Sequence, residues 1–187
     1  MQSSLALYPG KFKPFTGGHY SIVKKYLESP NIDELIVVIS RKDKEGFKAE
    51  DSLNFIKLLF KDYISSNKLE VVISDVPSPV GYCYDYVSKL IENSNESDLY
   101  KICLVSSSKN DDIERVNYFE KSFMPGGKYE DPHILVFDPK ISVDPLTYID
   151  RKDLSKSGFK TGDPISGTAA RADIIHNDFQ DFKSNYP

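Results

Sequence analysis

A short segment near the N-terminus brings together glycines, a hydroxyl and an imidazole. It reads GKFKPFTGGH over residues 10–19 and stands between an apolar run and a helical pattern. Gly17 and Gly18 fall where that helix would begin, and residues without side chains let an anion approach the free N–H groups of a first turn. Thr16 can cap the helix or bond a phosphate oxygen, and His19 can point toward the same anion. These residue types in this order predict a phosphate-binding site.

Neighbouring residues of the segment fit the same chemistry. Lys11 and Lys13 add positive charge, and Gly10 can take a backbone conformation closed to other residues. The order of glycines and lysines fits neither a Walker-type loop nor the dinucleotide-binding fingerprint. Spacing alone leaves open a plainer interpretation, a glycine-rich turn whose histidine is satisfied by the protein.

A second segment near the C-terminus offers another anion site. It reads ISGTAAR over residues 165–171, at the start of the last predicted helix. Ser166, Gly167 and Thr168 supply N–H groups and hydroxyls there. Arg171 follows about one turn later, so its guanidinium can fold back and engage two phosphate oxygens together. The alternative is a helix cap followed by a solvated arginine.

Apolar strand-like runs alternate with helical patterns along the chain. Strict alternation predicts βαβ units, and hence an α/β, Rossmann-like fold with a five-stranded parallel sheet and helices on both faces. Ligands of such sheets bind at the C-terminal ends of the strands, where the first segment lies. We expect one domain over residues 1–187, with an irregular insert at about 139–164. The predicted strands are 3–8, 34–40, 69–74, 100–106 and 133–138; the predicted helices are 18–28, 52–64, 81–93, 111–123 and a last one from about 166 to 175.

The composition argues against several classes of protein. A net charge of -4 does not favour broad nucleic-acid binding, which usually needs a basic face. No apolar run is long enough to span a bilayer, and the N-terminus lacks the pattern of a signal peptide. Cys83 and Cys103 are far apart and suggest two reduced, buried thiols rather than a disulfide or a zinc site. We therefore expect a cytoplasmic protein without nucleic-acid or membrane partners.

Both segments resemble signatures of one family, the nucleotidylyltransferase superfamily. GKFKPFTGGH is similar to G-x-F-x-P-x-[HT]-x-G-H, and ISGTAAR is similar to I-S-[SGT]-T-x-x-R. The family includes phosphopantetheine and nicotinamide mononucleotide adenylyltransferases, and glycerol-3-phosphate and phosphocholine cytidylyltransferases. The resemblance extends from residue 5 to about residue 175. It implies transfer of a nucleoside monophosphate from a nucleoside triphosphate to a small phosphorylated acceptor, with Mg²⁺ bridging the phosphates and pyrophosphate leaving.

The resemblance also implies roles for particular residues. His19 would contact the triphosphate and stabilise the transition state, and Thr16 would bond a phosphate oxygen. Lys42, after the second strand, would act at the reacting phosphates, with Arg41 and Lys44 of the same loop as the next candidates. The alternative is that this loop is simply charged and solvated. No protein ligand of a metal is implied. The catalytic residues predicted in this way are His19, Thr16, Lys42 and Arg171; the nucleotide-binding residues are Gly10, Lys11, Phe12, Gly18, His19, Ser166, Gly167, Thr168 and Arg171.

The roles of residues in the loops after the third and fourth strands have alternative interpretations. After the fourth strand the chain reads SSSKNDDIER, where relatives carry glycine-rich or Gly-x-Asp sequences. Asp111 or Asp112 could contact ribose or base, and Arg115 could reach phosphate. The favoured alternative is that the two acids place negative charge in the first turn of a helix. The aromatic residues of 76–86 could line the acceptor side or belong to the core.

ATP is favoured over CTP as the donor. ISGTAAR resembles adenylyltransferases more than the R-T-x-G-I-S-T pattern of cytidylyltransferases, and DPISGTAAR lacks the Arg-Thr-x-Gly lead. The alternative enzyme is a cytidylyltransferase that uses CTP on a phospho-alcohol or phosphosugar. The alternative from another class is a non-catalytic nucleotide-binding module. Neither the acceptor nor the oligomeric state follows from the sequence, although relatives often form homo-oligomers.

Overall fold

The computed structural model describes residues 2–106, 110–143 and 167–175. Within these ranges the strands are β1 (Gln2–Gly10), β2 (Glu34–Ile39), β3 (Leu69–Ile73), β4 (Leu99–Leu104) and β5 (Ile134–Val136). They form one sheet in the order β3-β2-β1-β4-β5, and every neighbouring pair is parallel. The predicted α/β fold with a five-stranded parallel sheet is confirmed.

Helices pack on both faces of the sheet because its strands are apolar on both sides. In β1, Ala6 and Tyr8 belong to one buried cluster, whereas Leu5 and Leu7 belong to the other. The helices are α1 (Gly17–Glu28), α2 (Ala49–Leu59), α3 (Lys61–Ser65), α4 (Pro79–Glu92), α5 (Asn110–Phe123) and α6 (Gly167–Ile175). The first cluster includes side chains of α1 and α2, and the second includes side chains of α4 and α5.

The chain changes direction across the sheet at β1. It runs outward through β2 to β3, and then returns to place β4 on the other side of β1. Such a switch point opens a crevice at the C-terminal ends of the two strands that flank it, here β1 and β4. The loop that follows β1 carries the first motif, so the fold positions that motif at the expected edge.

The predicted helix over residues 52–64 is wrong in one respect, since two helices cover this stretch. α2 ends at Leu59, and Phe60 departs from helical geometry with φ -119° and ψ 29° before α3 begins. The Phe60 side chain is 3% exposed, and its ring stacks on Tyr20 with centroids 5.2 Å apart. Burial of the Phe60 ring determines where the helix is interrupted. A tertiary contact of this kind does not change the spacing of apolar residues, which predicted one helix.

Among the described residues, no helix combines the length and the apolar composition that a membrane span requires. Cys83 and Cys103 are both free and buried, as predicted, and they lie in opposite clusters of the core.

Candidate active site

The loop between β1 and α1 is fixed through its carbonyl groups. The carbonyl of Phe12 accepts a hydrogen bond from Ser52 Oγ of α2 at 2.6 Å. The carbonyl of Lys13 accepts one from Arg171 Nη1 of α6. Gly10, which ends β1, accepts one from the backbone N–H that follows β2. Three separate elements thus hold the first motif in place.

Gly10 is required for a reason other than the predicted one. It lies in extended strand without a positive φ, whereas a Cβ at this position would fall 2.7 Å from Cζ of Phe12. The Phe12 ring therefore packs directly on the Gly10 backbone. Phe12 itself has a φ of 52° and is 2% exposed. The prediction of an unusual backbone at Gly10 was wrong, because close approach and not conformation excludes a side chain.

Phe12 supports the histidine of the motif. Its ring meets His19 edge to face, with centroids 5.1 Å apart, and Phe15 lies 5.6 Å from the same imidazole. Both phenylalanines are buried, so the imidazole rests on the aromatic floor formed by Phe12 and Phe15. The structure shows Phe12 packed beneath His19, and its predicted binding of nucleotide stays a prediction.

Thr16 and His19 are joined at one ring nitrogen. The backbone N–H of Thr16 donates to His19 Nδ1 at 3.0 Å, and Thr16 Oγ1 lies 3.0 Å from the same atom. A backbone N–H can only donate, so Nδ1 is an acceptor and the neutral ring carries its proton on Nε2. Thr16 is 1% exposed and serves as N-cap of α1. The contact assigns Thr16 to orienting His19; its predicted bond to phosphate stays a prediction.

The protein itself leaves room at the start of α1. A Cβ built on Gly18 would meet only Thr16 Oγ1, at an ordinary 3.8 Å. Packing within the described residues therefore does not explain a glycine here. The approach of a ligand to the first turn of α1, which the motif predicts, stays a prediction.

The second motif meets the first at Lys13 and Pro14. A Cβ on Gly167 would lie 3.5 Å from the Lys13 carbonyl oxygen and 3.7 Å from that of Pro14. Arg171 is 7% exposed and also donates from Nη2 to Thr168 Oγ1 at 3.3 Å. The Arg171 side chain is therefore buried and bonded within the protein, so the alternative of a helix cap followed by a solvated arginine is wrong. Two segments at opposite ends of the chain are therefore in direct contact.

A tight turn in the loop after β2 adds a residue that the sequence did not indicate. Lys44 and Phe47 exchange backbone hydrogen bonds of 3.0 and 2.9 Å, and Glu45 and Gly46 between them have φ of 50° and 86°. Positive φ at both central residues defines a type I′ turn. Glu45 Oε2 accepts a hydrogen bond from Arg171 Nε. Hydrogen bonds from Arg171 and Lys44 hold the pKa of the Glu45 carboxyl below its ordinary value.

Lys13 is placed differently from the prediction that it would add charge beside the glycines. Its ammonium group donates to the carbonyls of Ser40 and Lys42, the latter at 2.9 Å. The residue is 2% exposed, and burial lowers its pKa against the opposing effects of Asp43 and Glu50. The Lys13 ammonium group therefore points into the protein, where its hydrogen bonds connect the first motif to the loop after β2.

The other predicted cations around the site are exposed. Lys11 and Lys42 lie exposed on the surface of the two loops, and the Lys42 carbonyl accepts a hydrogen bond from Lys13. Arg41 donates to the Asp75 carbonyl at 2.8 Å and so links the loops after β2 and β3. The catalytic part assigned to Lys42 stays a prediction.

Several predicted residues fall at the margins of the structure. Ser166 lies outside the described residues, as does most of the insert predicted at 139–164. Asp111 and Asp112 belong to the first turn of α5, but their side chains are outside the described part. Arg115 is exposed on the same helix.

The aromatic residues after β3 belong to the core. Tyr84 stacks on Phe123 with centroids 5.6 Å apart, and Tyr82 stacks on Tyr86 at 6.3 Å. All three tyrosines pack against the buried cluster on the α4 and α5 side. The core interpretation of residues 76–86 is confirmed for these rings.

Comparison with known proteins agrees with the motifs. No family model matches the chain. A phosphopantetheine adenylyltransferase of Clostridium botulinum (strain Eklund 17B / Type B) is 24% identical over 122 residues, 56% of this chain and 76% of the relative. The enzyme of that name from Clostridium beijerinckii is 22% identical over 121 residues, 57% of this chain and 76% of the relative. One from Clostridium botulinum (strain Hall) is 26% identical over 121 residues, 56% and 73% of the two chains. Over about half its length the chain is therefore similar to phosphopantetheine adenylyltransferases, and the resemblance to the nucleotidylyltransferase superfamily is confirmed over that part. Its predicted extent from residue 5 to about residue 175 stays a prediction.

Proposed function

We propose that the chain is a nucleotidylyltransferase that transfers AMP from ATP to a small phosphorylated acceptor and releases pyrophosphate. The observation that carries this proposal is the junction of the two motifs, where Arg171 donates to the Lys13 carbonyl. The N-termini of α1 and α6 then converge on one place, and each is a ready site for phosphate. Relatives named adenylyltransferases support a reaction of this type.

The proposed step is a displacement at phosphorus. An oxygen of the acceptor phosphate attacks the α-phosphorus of ATP and forms a new phosphoanhydride bond. The bond from the α-phosphorus to the oxygen that bridges to the β-phosphorus breaks, and pyrophosphate leaves with that electron pair. The protein forms no covalent bond, so its contribution is to align the reactants and to stabilise developing negative charge.

His19 would act where that charge develops. Its Nδ1 accepts from Thr16, so Nε2 is the nitrogen with a proton to donate to an α-phosphate oxygen. The aromatic floor keeps the ring from tilting away. The N–H groups of the first turn of α1, beside Gly18, would bind further phosphate oxygens.

The second motif would bind the leaving group. Arg171 and Thr168 already contact each other, and with Ser166 they would bind the β- and γ-phosphates and then pyrophosphate. Lys11 and Lys42 are exposed on the adjoining loops and would add positive charge on the solvent side.

Mg²⁺ would be held by the nucleotide rather than by a protein cage. The described ranges contain no group of three His, Cys, Asp or Glu residues that could hold a metal ion. Asp43, a carboxylate of the loop after β2, already accepts a hydrogen bond from the N–H of Ala49. A phosphate-bound Mg²⁺ needs few protein ligands and would neutralise charge on the departing pyrophosphate.

Pyrophosphate release tests the proposal directly. The purified protein with Mg²⁺ is given ATP or CTP together with one acceptor at a time: phosphopantetheine, which the name of the relatives contains, nicotinamide mononucleotide, phosphocholine or glycerol-3-phosphate. Release of pyrophosphate with ATP and an acceptor, but not with CTP, supports adenylyl transfer. Release only with CTP and phosphocholine or glycerol-3-phosphate would replace it with cytidylyl transfer. Stabilisation by ATP without turnover of any of these acceptors would favour a nucleotide-binding module.

A further inference from the structure

The Glu45–Arg171 pair places an internal anion on the arginine of the second motif. Glu45 Oε2 accepts from Arg171 Nε across the gap between the loop after β2 and α6. Within the described ranges, Glu45 is the one carboxylate in ion-pair contact with this guanidinium. A carboxylate and a phosphate offer guanidinium the same kind of charged oxygen acceptor. Both would therefore compete for the same donor.

The two partners differ in how freely they can move. Arg171 is buried and is tied on its other nitrogens to the Lys13 carbonyl and to Thr168 Oγ1. The Glu45 side chain is 42% exposed and projects from a turn with only two central residues. If the pair separates, Glu45 is the partner that swings away.

The backbone at Glu45 indicates that the turn does not require glutamate, so the residue contributes through its side chain. Glu45 has a φ of 50°, a region that glycine enters without strain and a residue with a Cβ enters at a cost. A glycine at this position would make the same type I′ turn without that cost. What glutamate adds is its carboxylate, which bonds Arg171 and Lys44.

We propose that the Glu45 carboxylate stands in for a phosphate oxygen on Arg171 and that polyphosphate displaces it. The proposal rests on the proposed function, because it takes Arg171 to be a ligand of the triphosphate. If the Glu45 carboxylate and a phosphate group both stayed on the buried Arg171 guanidinium, their negative charges would repel each other. Glu45 therefore lowers the affinity of the site for phosphate groups, and a ligand must bring enough negative charge to replace it. It acts as a selectivity residue that favours polyphosphate over monophosphate.

Calorimetric titration with pyrophosphate, and separately with ATP and Mg²⁺, tests the displacement. Glu45→Gln keeps the length of the side chain but removes its charge, so the dissociation constant for pyrophosphate should fall about two- to fivefold, as expected for a half-exposed ion pair. The matched control is Glu50→Gln, which removes one charge from an exposed residue of the nearby helix α2. Its effect on the same constant should be clearly smaller. Glu45→Gln should raise the affinity for inorganic phosphate by a larger factor than the affinity for pyrophosphate.

The outcomes separate the two proposals. If the wild-type chain binds pyrophosphate and Glu45→Gln binds it equally or more weakly, Glu45 orients Arg171 and the displacement is overturned. If neither protein binds pyrophosphate or ATP, the proposed function fails, and the displacement fails with it. Glu45→Gly provides a second variant that also removes the strain at positive φ, so a loss of folding in Glu45→Gln would not hide the answer. It should bind pyrophosphate more tightly than wild type.

Discussion

At the scale of single residues, the site depends on how His19 is held. Its Nδ1 is occupied by the backbone N–H of the residue that caps its own helix. The cap and the imidazole are therefore fixed by the same contact, and Phe12 and Phe15 support the ring from below. A side chain oriented in this way can meet developing charge without first reorganising.

Two glycines of the first motif should respond oppositely to alanine. Gly10→Ala would force a Cβ to within 2.7 Å of the Phe12 ring, so we expect a loss of about 1–3 kcal/mol in the free energy of unfolding. Gly18→Ala would meet only Thr16 Oγ1 at 3.8 Å, and alanine favours the helix by up to about 1 kcal/mol. Urea unfolding measures both. Gly18→Ala should keep or raise stability yet weaken ATP binding; equal destabilisation by both variants would contradict this assignment.

The residues that the sequence did not indicate are those whose role depends on contacts across loops. The motifs located His19, Thr16 and Arg171, because spacing fixes where a residue stands on its own element. Spacing could not show that Lys13 turns its ammonium onto the carbonyls after β2, nor that Glu45 reaches Arg171. Both contacts arise from how three loops meet at one edge of the sheet.

At the scale of secondary-structure elements, the loop after β2 is held to the first motif by one buried ammonium group. Lys13 donates to the carbonyls of Ser40 and Lys42, and its burial lowers its pKa. The loop carries both Lys42 and Glu45, so Lys13 positions a predicted catalytic lysine and the partner of Arg171 together.

This burial predicts a particular dependence of stability on pH. Between the lowered pKa of folded Lys13 and the unfolded value of about 10.5, the unfolded chain binds a proton that the folded chain does not. The free energy of unfolding contributed by Lys13 therefore rises with pH through that window. The comparison is with Lys13→Met, which lacks this group but keeps every other titrating residue.

Denaturant unfolding of both proteins between pH 7 and strongly alkaline pH measures the difference. Wild type should gain stability relative to Lys13→Met as pH rises. A constant difference would mean that the ammonium group is not buried as described. Limited proteolysis should also cut the loop at 41–48 faster in the variant, because two carbonyls lose their donor.

Element boundaries were predictable to different degrees for physical reasons. The alternation of apolar strands and amphipathic helices follows from burial of the sheet on both faces, so all five strands were anticipated. The break between α2 and α3 was not, because it depends on burial of Phe60 against α1 and α3.

At the scale of the whole molecule, the sheet separates two apolar clusters, and each contains one thiol. Cys83 is 0% exposed in the cluster on the α4 side, and Cys103 is 3% exposed in the opposite cluster. Burial raises the pKa of Cys103 to about 12 and that of Cys83 well above its ordinary range. Thiolate, the reactive form, is therefore scarce in the folded chain.

Thiol chemistry should accordingly report folding. A disulfide exchange reagent at pH 8 should leave both cysteines unmodified for as long as the chain is folded, and should modify both at once when denaturant is added. Ligands that stabilise the fold, such as ATP with Mg²⁺, should slow modification in marginal denaturant. Rapid modification of either thiol in the native protein would show that one face of the sheet is open to solvent.

The most direct measurement compares pyrophosphate release by wild type and His19→Ala, with ATP, Mg²⁺ and phosphopantetheine as acceptor. His133→Ala serves as the matched control, because it removes an imidazole bonded to Asp131 beside β5, the far edge strand. Loss of a preorganised donor to the transition state should reduce turnover by His19→Ala about 10²–10³-fold with little change in stability. His133→Ala should retain turnover. Wild-type turnover by folded His19→Ala would contradict nucleotidyl transfer at this site.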